Sequence, residues 1–432
     1  MKKIIVFVFG LLAALPVWGV VAVTAVEDLR VNGQVEPSCV EGTPVFSWRV
    51  TSNVLNTCQA SWEITLTENG KKVFSCRDTG EDPFGIVLPY TFVPGARYGW
   101  TLKVTDNHRR TSKPVSSTFV MGPVRAATGP GQQPCPEYKC SFSCSDARIN
   151  RMYAEMYCHW SADAVLAPWQ QYRASRNLRQ LEAGYPSMKD RADAYLARAE
   201  RYLLPPQGQP YADDALTSRA MMDQCFFAHT LDIVAQAAAL LGKTHESRYY
   251  ADAALLARDA FINEYVTPNG LVSSDTQTAY ALALHFDMLP ENLREQAVRR
   301  LMSHIDRAEG RVVAGRSVTP YLFEELSRYG QGDLAFRLLQ DGGAGDWLHR
   351  WIGGLRETEP GYHTFVVDPH PGGGLRWAET TCQSPYGPIT VKWTAAADRL
   401  QSIFVEVPVG TIAVITCPDG SFRRVGSGTY SF

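Results

Sequence analysis

Phe226-Phe227-Ala228-His229-Thr230-Leu231-Asp232-Ile233-Val234-Ala235-Gln236-Ala237-Ala238-Ala239-Leu240-Leu241-Gly242 carries apolar residues on more than one face of a 3.6-residue repeat. That pattern predicts a helix buried between neighbours rather than one lying on a surface. Gly242 stands where a C′ glycine ends such a helix. Residues 192–199 are rich in strong helix formers. Further helices are predicted over 244–265, 276–288, 290–308 and 320–340, and no strand pattern separates them. The stretch from about 145 to 340 therefore reads as an all-α domain of paired helices. A helical toroid is one way to pack such pairs, and periodicity alone does not choose it over other arrays.

On the N-terminal side, residues 26–122 read as β. Ser61 to Thr67 and Tyr98 to Val104 alternate with period two, as half-buried antiparallel strands do. Glu68-Asn69-Gly70-Lys71 is a hairpin turn, because Asn-Gly tolerates positive φ. Short strands with regular turns predict a β-sandwich of immunoglobulin or fibronectin type. Residues 123–140 hold Pro123, Gly129, Pro130, Gly131, Pro134 and Pro136 and read as a linker. On the C-terminal side, Phe365-Val366-Val367, Ile389 to Trp393 and Ile412 to Thr416 are β-branched strands. Pro371-Gly372-Gly373-Gly374 and Asp419-Gly420 are turns. Residues 344–432 thus predict a second β-sandwich.

Lys2 and Lys3 precede an apolar run from Ile4 to about Val23, which reads as an export leader over 1–25. Val17-Trp18-Gly19 and Val23-Thr24-Ala25 both resemble cleavage sites. No later stretch is long and apolar enough to span a bilayer. The expected location is periplasmic or extracellular, and ten cysteines fit an oxidising compartment as disulfides or buried thiols. The 432 residues carry 42 Lys+Arg against 44 Asp+Glu. That balance offers no basic field for nucleic acid and no polybasic membrane patch. Cys158-His159 is a poor start for a zinc site, so no metal and no cofactor are expected.

No phosphate loop, HExxH or G-x-S-x-G motif occurs. What remains is carboxylate chemistry in the helical domain. Acids near aromatics are Asp163 (beside Trp160 and Trp169), Asp213-Asp214, Asp275, Glu324-Glu325 and Asp346 beside Trp347. Sugar sites pair such acids with aromatic platforms, and glycosidases need two carboxyl groups across the bond. Packing and capping explain the same residues: Ser274 or Asp275 would make an N-cap for the helix that follows. His229 and His285 read as satisfied core histidines, and His370 as part of a turn.

Several segments resemble a known family. Gly345-Asp346-Trp347-Leu348-His349-Arg350-Trp351-Ile352-Gly353-Gly354-Leu355 resembles the G-E-W-L-Y-R-Y-V-A-G-I segment of bacterial α-L-rhamnosidases, glycoside hydrolase family 78. Glu359-Pro360-Gly361-Tyr362, Pro369-His370-Pro371-Gly372-Gly373-Gly374-Leu375, Ser384-Pro385-Tyr386-Gly387 and Gly426-Ser427-Gly428-Thr429-Tyr430 continue the likeness in order. Ser274 to Leu284 is similar to the family's S-D-T-Q-T-A-Y-A-L-A-L helix, and Thr319-Pro320-Tyr321-Leu322 to its T-P-Y-L. Thr43 to Trp48 and Tyr98-Gly99-Trp100 resemble its fibronectin-like N-terminal module.

The resemblance implies an N-terminal fibronectin-like β-sandwich, a shortened (α/α)6-type helical toroid over 141–343 and a C-terminal β-sandwich. It implies inverting hydrolysis of terminal α-L-rhamnosides of plant or bacterial glycans, with one Glu as acid and another as base. The partner it implies is a rhamnose-containing oligosaccharide or glycoside. Nothing here matches the family's T-D-C-P-Q-R-D-E-R-x-G-W acid segment, nor its A-T-T-I-W-E base segment with the N-H-Y motif. Asp163 lies one place late against the family's W-G-D-A motif, a turn of about 100° on a helix. A jelly-roll domain of the family is also missing. The alternative is therefore a non-catalytic exported carbohydrate-binding or scaffold relative. The pocket expected from these segments is Trp160, Asp163, Trp169, Asp275, Gln277 and Tyr321.

Overall fold

The computed structural model describes residues 23–122, 140–144, 164–206, 214, 216–315, 318–339 and 345–432. The chain begins with a β-sandwich. Strands β1 (Thr24–Val31) and β2 (Phe46–Ser52) form one antiparallel pair. They face a four-stranded sheet ordered β4-β3-β5-β6, with β3 Gln59–Glu68, β4 Lys71–Thr79, β5 Arg97–Asp106 and β6 Val115–Val120. The alternating residues of β3 and β5 bury Ile64, Leu66, Tyr98, Trp100, Leu102 and Val104, each large side chain contributing about 1.5–3 kcal/mol. Asn69 (φ 50°) and Gly70 (φ 77°) make the β3–β4 turn in the left-handed region, as the Asn-Gly signal predicts. Thr24 Oγ1 donates to Asp106, which is buried and also accepts from the backbone N–H groups of His108 and Arg110 at 2.9 Å each. Strand β1 thus begins inside the segment read as a leader. A leader that reached Ala25 would carry Thr24, the partner of Asp106, away with it.

The helical region contains α1 (Leu166–Ser175), α2 (Leu178–Arg198), α3 (Arg219–Leu240), α4 (Thr244–Tyr265), α5 (Gln277–His285), α6 (Glu291–Arg307), α7 (Thr319–Arg328) and α8 (Gly332–Leu338). Helix α3 is buried over most of its length, as its apolar pattern requires, and Gly242 closes it at φ 71°. The single helix expected over 320–340 is two helices. Gly330, at φ 75°, takes a left-handed turn that only a glycine adopts freely. Helical turns Gly345–Trp347 and Leu348–Ile352 lead into the last domain.

There, β10 (Trp377–Ser384), β11 (Gly387–Ala396), β12 (Arg399–Val407) and β15 (Gly428–Ser431) form a sheet ordered β15-β12-β11-β10-β7. Its edge strand, β7 (Cys140–Cys144), comes from ahead of the helices. A second sheet orders β14 (Phe422–Val425), β13 (Ile412–Thr416), β9 (Thr364–Val367) and β8 (Leu355–Glu357). One hydrophobic core runs from the helices into this sandwich without a break. Trp393 Nε1 donates to the Ile352 carbonyl at 2.8 Å across the junction. At Gly354 (φ 80°) a Cβ would lie 2.3 Å from Pro369 N, so the turn accepts only glycine. The first sandwich docks on the last through Asn56 and Thr57, whose N–H groups donate to Ser427.

Among the described residues Cys39, Cys58, Cys76, Cys225 and Cys417 are free thiols. No helix of the described residues is long and apolar enough to cross a membrane.

Candidate functional site in the helical domain

The segments that precede α3 and α5 meet and lace the two helix ends together. Ser218 caps α3 and Thr276 caps α5, its Oγ1 accepting from Ala279 N at 3.1 Å. Thr217 and Thr276 hydroxyls are hydrogen-bonded at 2.7 Å, and Ser218 N donates to Ser274 Oγ at 2.9 Å. The buried Asp214 carboxylate accepts from Thr217 N at 3.1 Å and from Thr278 Oγ1.

Two of the expected pocket residues stand here. Asp275 is not the cap that its position predicts; that role falls to Thr276. Ser274 (φ 73°) and Asp275 (φ 41°) both lie in the left-handed region. This turns the Asp275 carboxylate back, where Tyr280 OH donates to it at 2.6 Å and His304 Nε2 lies 3.1 Å away. Burial pushes that carboxyl up, but the Tyr280 hydroxyl and His304 outweigh it and hold it below the usual carboxylate range. Gln277 is 1% exposed. Its Oε1 accepts from Val313 N at 2.9 Å and its Nε2 donates to the Arg311 carbonyl at 3.0 Å. It clamps the chain that leaves α6, and no part of it faces an open pocket.

Tyr321 lies elsewhere. Its ring is 4.5 Å from His285 and 5.3 Å from Phe286, at the far end of α5. Eight residues at 1.5 Å each put that end about 12 Å from Gln277. The structure therefore does not gather Asp275, Gln277 and Tyr321 into one pocket. Trp169 is half-buried beside Tyr172, ring centroids 5.7 Å apart. Trp160 and Asp163 lie outside the described residues, as does Asp213.

Around Tyr321 the structure assembles charges that the sequence pattern does not reveal. His285 Nδ1 is 2.9 Å from Glu325, which also pairs with Arg328 at 3.2 Å. Arg350 pairs with Glu324 at 2.8 Å and with Asp346 at 3.5 Å. Arg173 pairs with Glu357 at 2.5 Å. Burial raises the Glu357 carboxyl above the usual range, and the Arg173 and Arg350 guanidiniums only partly offset it. His229 stacks on Phe286 at 4.3 Å. Burial first, then His285 and Arg258, lowers its pKa to about 4. The Asp346–Arg350 pair was legible as i, i+4 spacing. Arg173 and Glu357 are far apart in sequence, and only the fold joins them.

Inverting glycoside hydrolysis sets an acid and a base about 6.5–9.5 Å apart. Asp275 stands at the N-terminal end of α5, whereas Glu324, 3.9 Å from His285, stands at its C-terminal end. Around Arg350 stand Glu324 and Asp346, with Glu357 acting on the same guanidinium through its charge. Among the described residues no three His, Cys, Asp or Glu side chains converge as metal ligands.

Three family models match in chain order. A Rha78A-like N-terminal immunoglobulin domain matches 26–125, a bacterial α-L-rhamnosidase six-hairpin glycosidase domain matches 148–354, and a bacterial α-L-rhamnosidase C-terminal domain matches 354–431. An α-L-rhamnosidase of Streptomyces avermitilis is 27% identical over 343 residues, which cover 63% of this chain and 32% of that protein. One from Formosa agariphila is 26% identical over 315 residues, covering 60% and 34%. The matches thus cover about a third of the length of these relatives. Among solved structures, the α-L-rhamnosidase of Aspergillus terreus superposes with a TM-score of 0.81 at 13% identity, over 95% of this chain and 99% of that one. The Streptomyces avermitilis enzyme complexed with L-rhamnose gives 0.61 at 17% identity, over 90% and 52%. These likenesses agree with the architecture of an immunoglobulin-like domain, a toroid-type helical domain and a C-terminal β-sandwich. The chain belongs to the bacterial α-L-rhamnosidase family, glycoside hydrolase family 78.

Proposed function

We propose that the chain acts as a glycoside hydrolase on terminal α-L-rhamnosides of plant or bacterial glycans, exported to the periplasm or the cell exterior. The observation that carries this reading is the ordered match of three α-L-rhamnosidase family models across the chain. Within this reading Glu357 is the carboxyl best suited to hold a proton for a leaving oxygen, since burial raises it. Glu324 and Asp346, both paired to Arg350, are the candidates for the base.

One observation favours a second reading, a carbohydrate-binding relative that does not hydrolyse. Asp275 and Gln277 are engaged by the scaffold itself, and the family's acid and base segments have no counterpart in the sequence. The test is release of the aglycone from an aryl α-L-rhamnoside by the purified chain, with Asp163→Asn, Asp275→Asn and Glu357→Gln beside it. Turnover abolished by one of these supports hydrolysis. No turnover from a cooperatively melting protein, with saturable binding of L-rhamnose, establishes the second reading. Neither turnover nor binding sinks both.

A further inference from the structure

The outer face of the five-stranded C-terminal sheet carries a groove that the helical site does not use. Strand register fixes which side chains share it. Trp377 is opposite Thr394, and Thr394 is opposite Ser402. One rung further, Glu379 is opposite Lys392, Lys392 opposite Phe404, and Phe404 opposite Ser431. Paired residues point to one face of a sheet, and their neighbours Ala378, Trp393 and Ile403 point inward and are buried. Between these rungs lies a groove of about 340 Å³, at the lower end of the range for small-molecule sites.

Its chemistry is specific. Trp377 is 42% exposed, and among the described residues no other ring packs on it. Phe404, the other ring on this face, is partly buried. A water-facing tryptophan on a rigid strand is an apolar platform with little side-chain entropy to lose on contact. The polar part is made of neutral or self-neutralised groups. Thr394 and Ser402 hydroxyls are hydrogen-bonded at 2.6 Å, and Lys392 Nζ pairs with Glu379 at 3.0 Å. An anionic ligand would meet Glu379, and a cationic one Lys392. A nucleic acid would need an unpaired basic field. A protein interface places its apolar residues at the centre and its polar ones at the rim, whereas here hydroxyls and the ion pair lie between the aromatic ends. A neutral polyhydroxylated ring fits both halves, with C–H faces for the indole and hydroxyls for the Thr, Ser, Glu and Lys groups.

We propose that this face is a second, non-catalytic carbohydrate site that holds a neutral rhamnose-containing oligosaccharide while the helical domain addresses a chain end. The sugar class rests on the proposed function above; the site itself rests on the sheet. The probe is a neutral rhamnose-containing oligosaccharide, titrated calorimetrically into the whole chain, with a neutral glucan of equal length as control. Trp377→Ala and Thr394→Val are the variants, and Glu357→Gln marks the helical site. The expected result is that Trp377→Ala weakens the oligosaccharide about tenfold, the order of one lost ring contact. Thr394→Val should weaken it less, Glu357→Gln should leave this binding component unchanged, and the melting temperature should stay within the range of a surface change. Binding indifferent to Trp377, or no binding by a protein that melts as the wild type, overturns the site. Trp377-dependent binding of the glucan alone overturns the ligand class. Trp377-dependent oligosaccharide binding with neither turnover nor rhamnose binding in the helical domain would leave the groove standing while the proposed function fell.

Discussion

The two ends of α5 handle their polar groups in opposite ways. At the N-terminal end, Asp275, Gln277, Thr276 and Thr278 are tied by hydrogen bonds to neighbouring loops and to Asp214, and the polar groups of these side chains serve the framework. At the C-terminal end, His285, Glu324, Glu325, Arg350 and Glu357 form a run of charges drawn from α5, α7, a helical turn and the edge of the last domain. The first end is closed, its hydrogen bonds reaching segments 34 to 64 residues away in sequence. The second is assembled from distant segments and includes a carboxyl raised by burial. A carboxylate beside aromatic residues is therefore no sign of chemistry until its partners are known, because a hydrogen-bonded scaffold residue leaves the same sequence trace.

The contrast can be broken by mutation. The largest effect should come from Gln277→Leu. It keeps the volume but leaves Val313 N–H and the Arg311 carbonyl without their partner, and urea unfolding should show a loss of about 2–3 kcal/mol. A loss within error would mean that the N-terminal end is not a clamp. Arg350→Met comes next. It removes the guanidinium that pairs with Glu324 and Asp346, and because 35% of the Arg350 side chain meets water the cost should be about 1–2 kcal/mol rather than that of a fully buried pair. The same variant should push the Glu357 carboxyl further up, which NMR titration of that carboxyl would read.

His229 sharpens the comparison through pH. Its folded pKa of about 4 lies below the ordinary 6.5, so the unfolded chain takes up the proton first. Stability from the neutral imidazole is fully present above pH 6.5 and declines as pH falls toward 4. His229→Gln should flatten that limb of the stability–pH curve; an unchanged slope would remove His229 from the account. The smallest stability effect should be Asp275→Asn. Asn still accepts from Tyr280, and the side chain is 43% exposed, so the loss at neutral pH should stay within about 1 kcal/mol. The Asp275 carboxyl is held below its usual range, so its contribution is present at neutral pH and fades as pH falls through that lowered value. If Asp275→Asn instead abolishes aryl-rhamnoside turnover while the protein stays folded, the N-terminal end is the catalytic one and the contrast is reversed.

Much of the framework was legible in the chain itself. Period-two alternation in 61–67 and 98–104 and the Asn69-Gly70 turn prescribe a hairpin because strand pleat and positive φ are local properties. Helix α4 spans Thr244–Tyr265 as expected, since helical periodicity is local as well. The break at Gly330 was missed because one glycine inside an apolar pattern does not announce a turn. The capping role passed from Asp275 to Thr276 because the left-handed backbone at 274–275 turns the carboxylate toward Tyr280 of α5 and His304 of α6.

What the sequence determined by itself is the order of β, α and β domains and their kinship, because these follow from periodicity and from motifs read in line. Only the tertiary structure decided which acids share a site. Tyr321 meets His285, Arg173 meets Glu357, and Trp377 stands exposed on a sheet face completed by β7 from ahead of the helices. Coulomb forces, burial and ring contacts act through space over a few ångströms, and the chain brings those groups together only after packing has closed the separations in sequence.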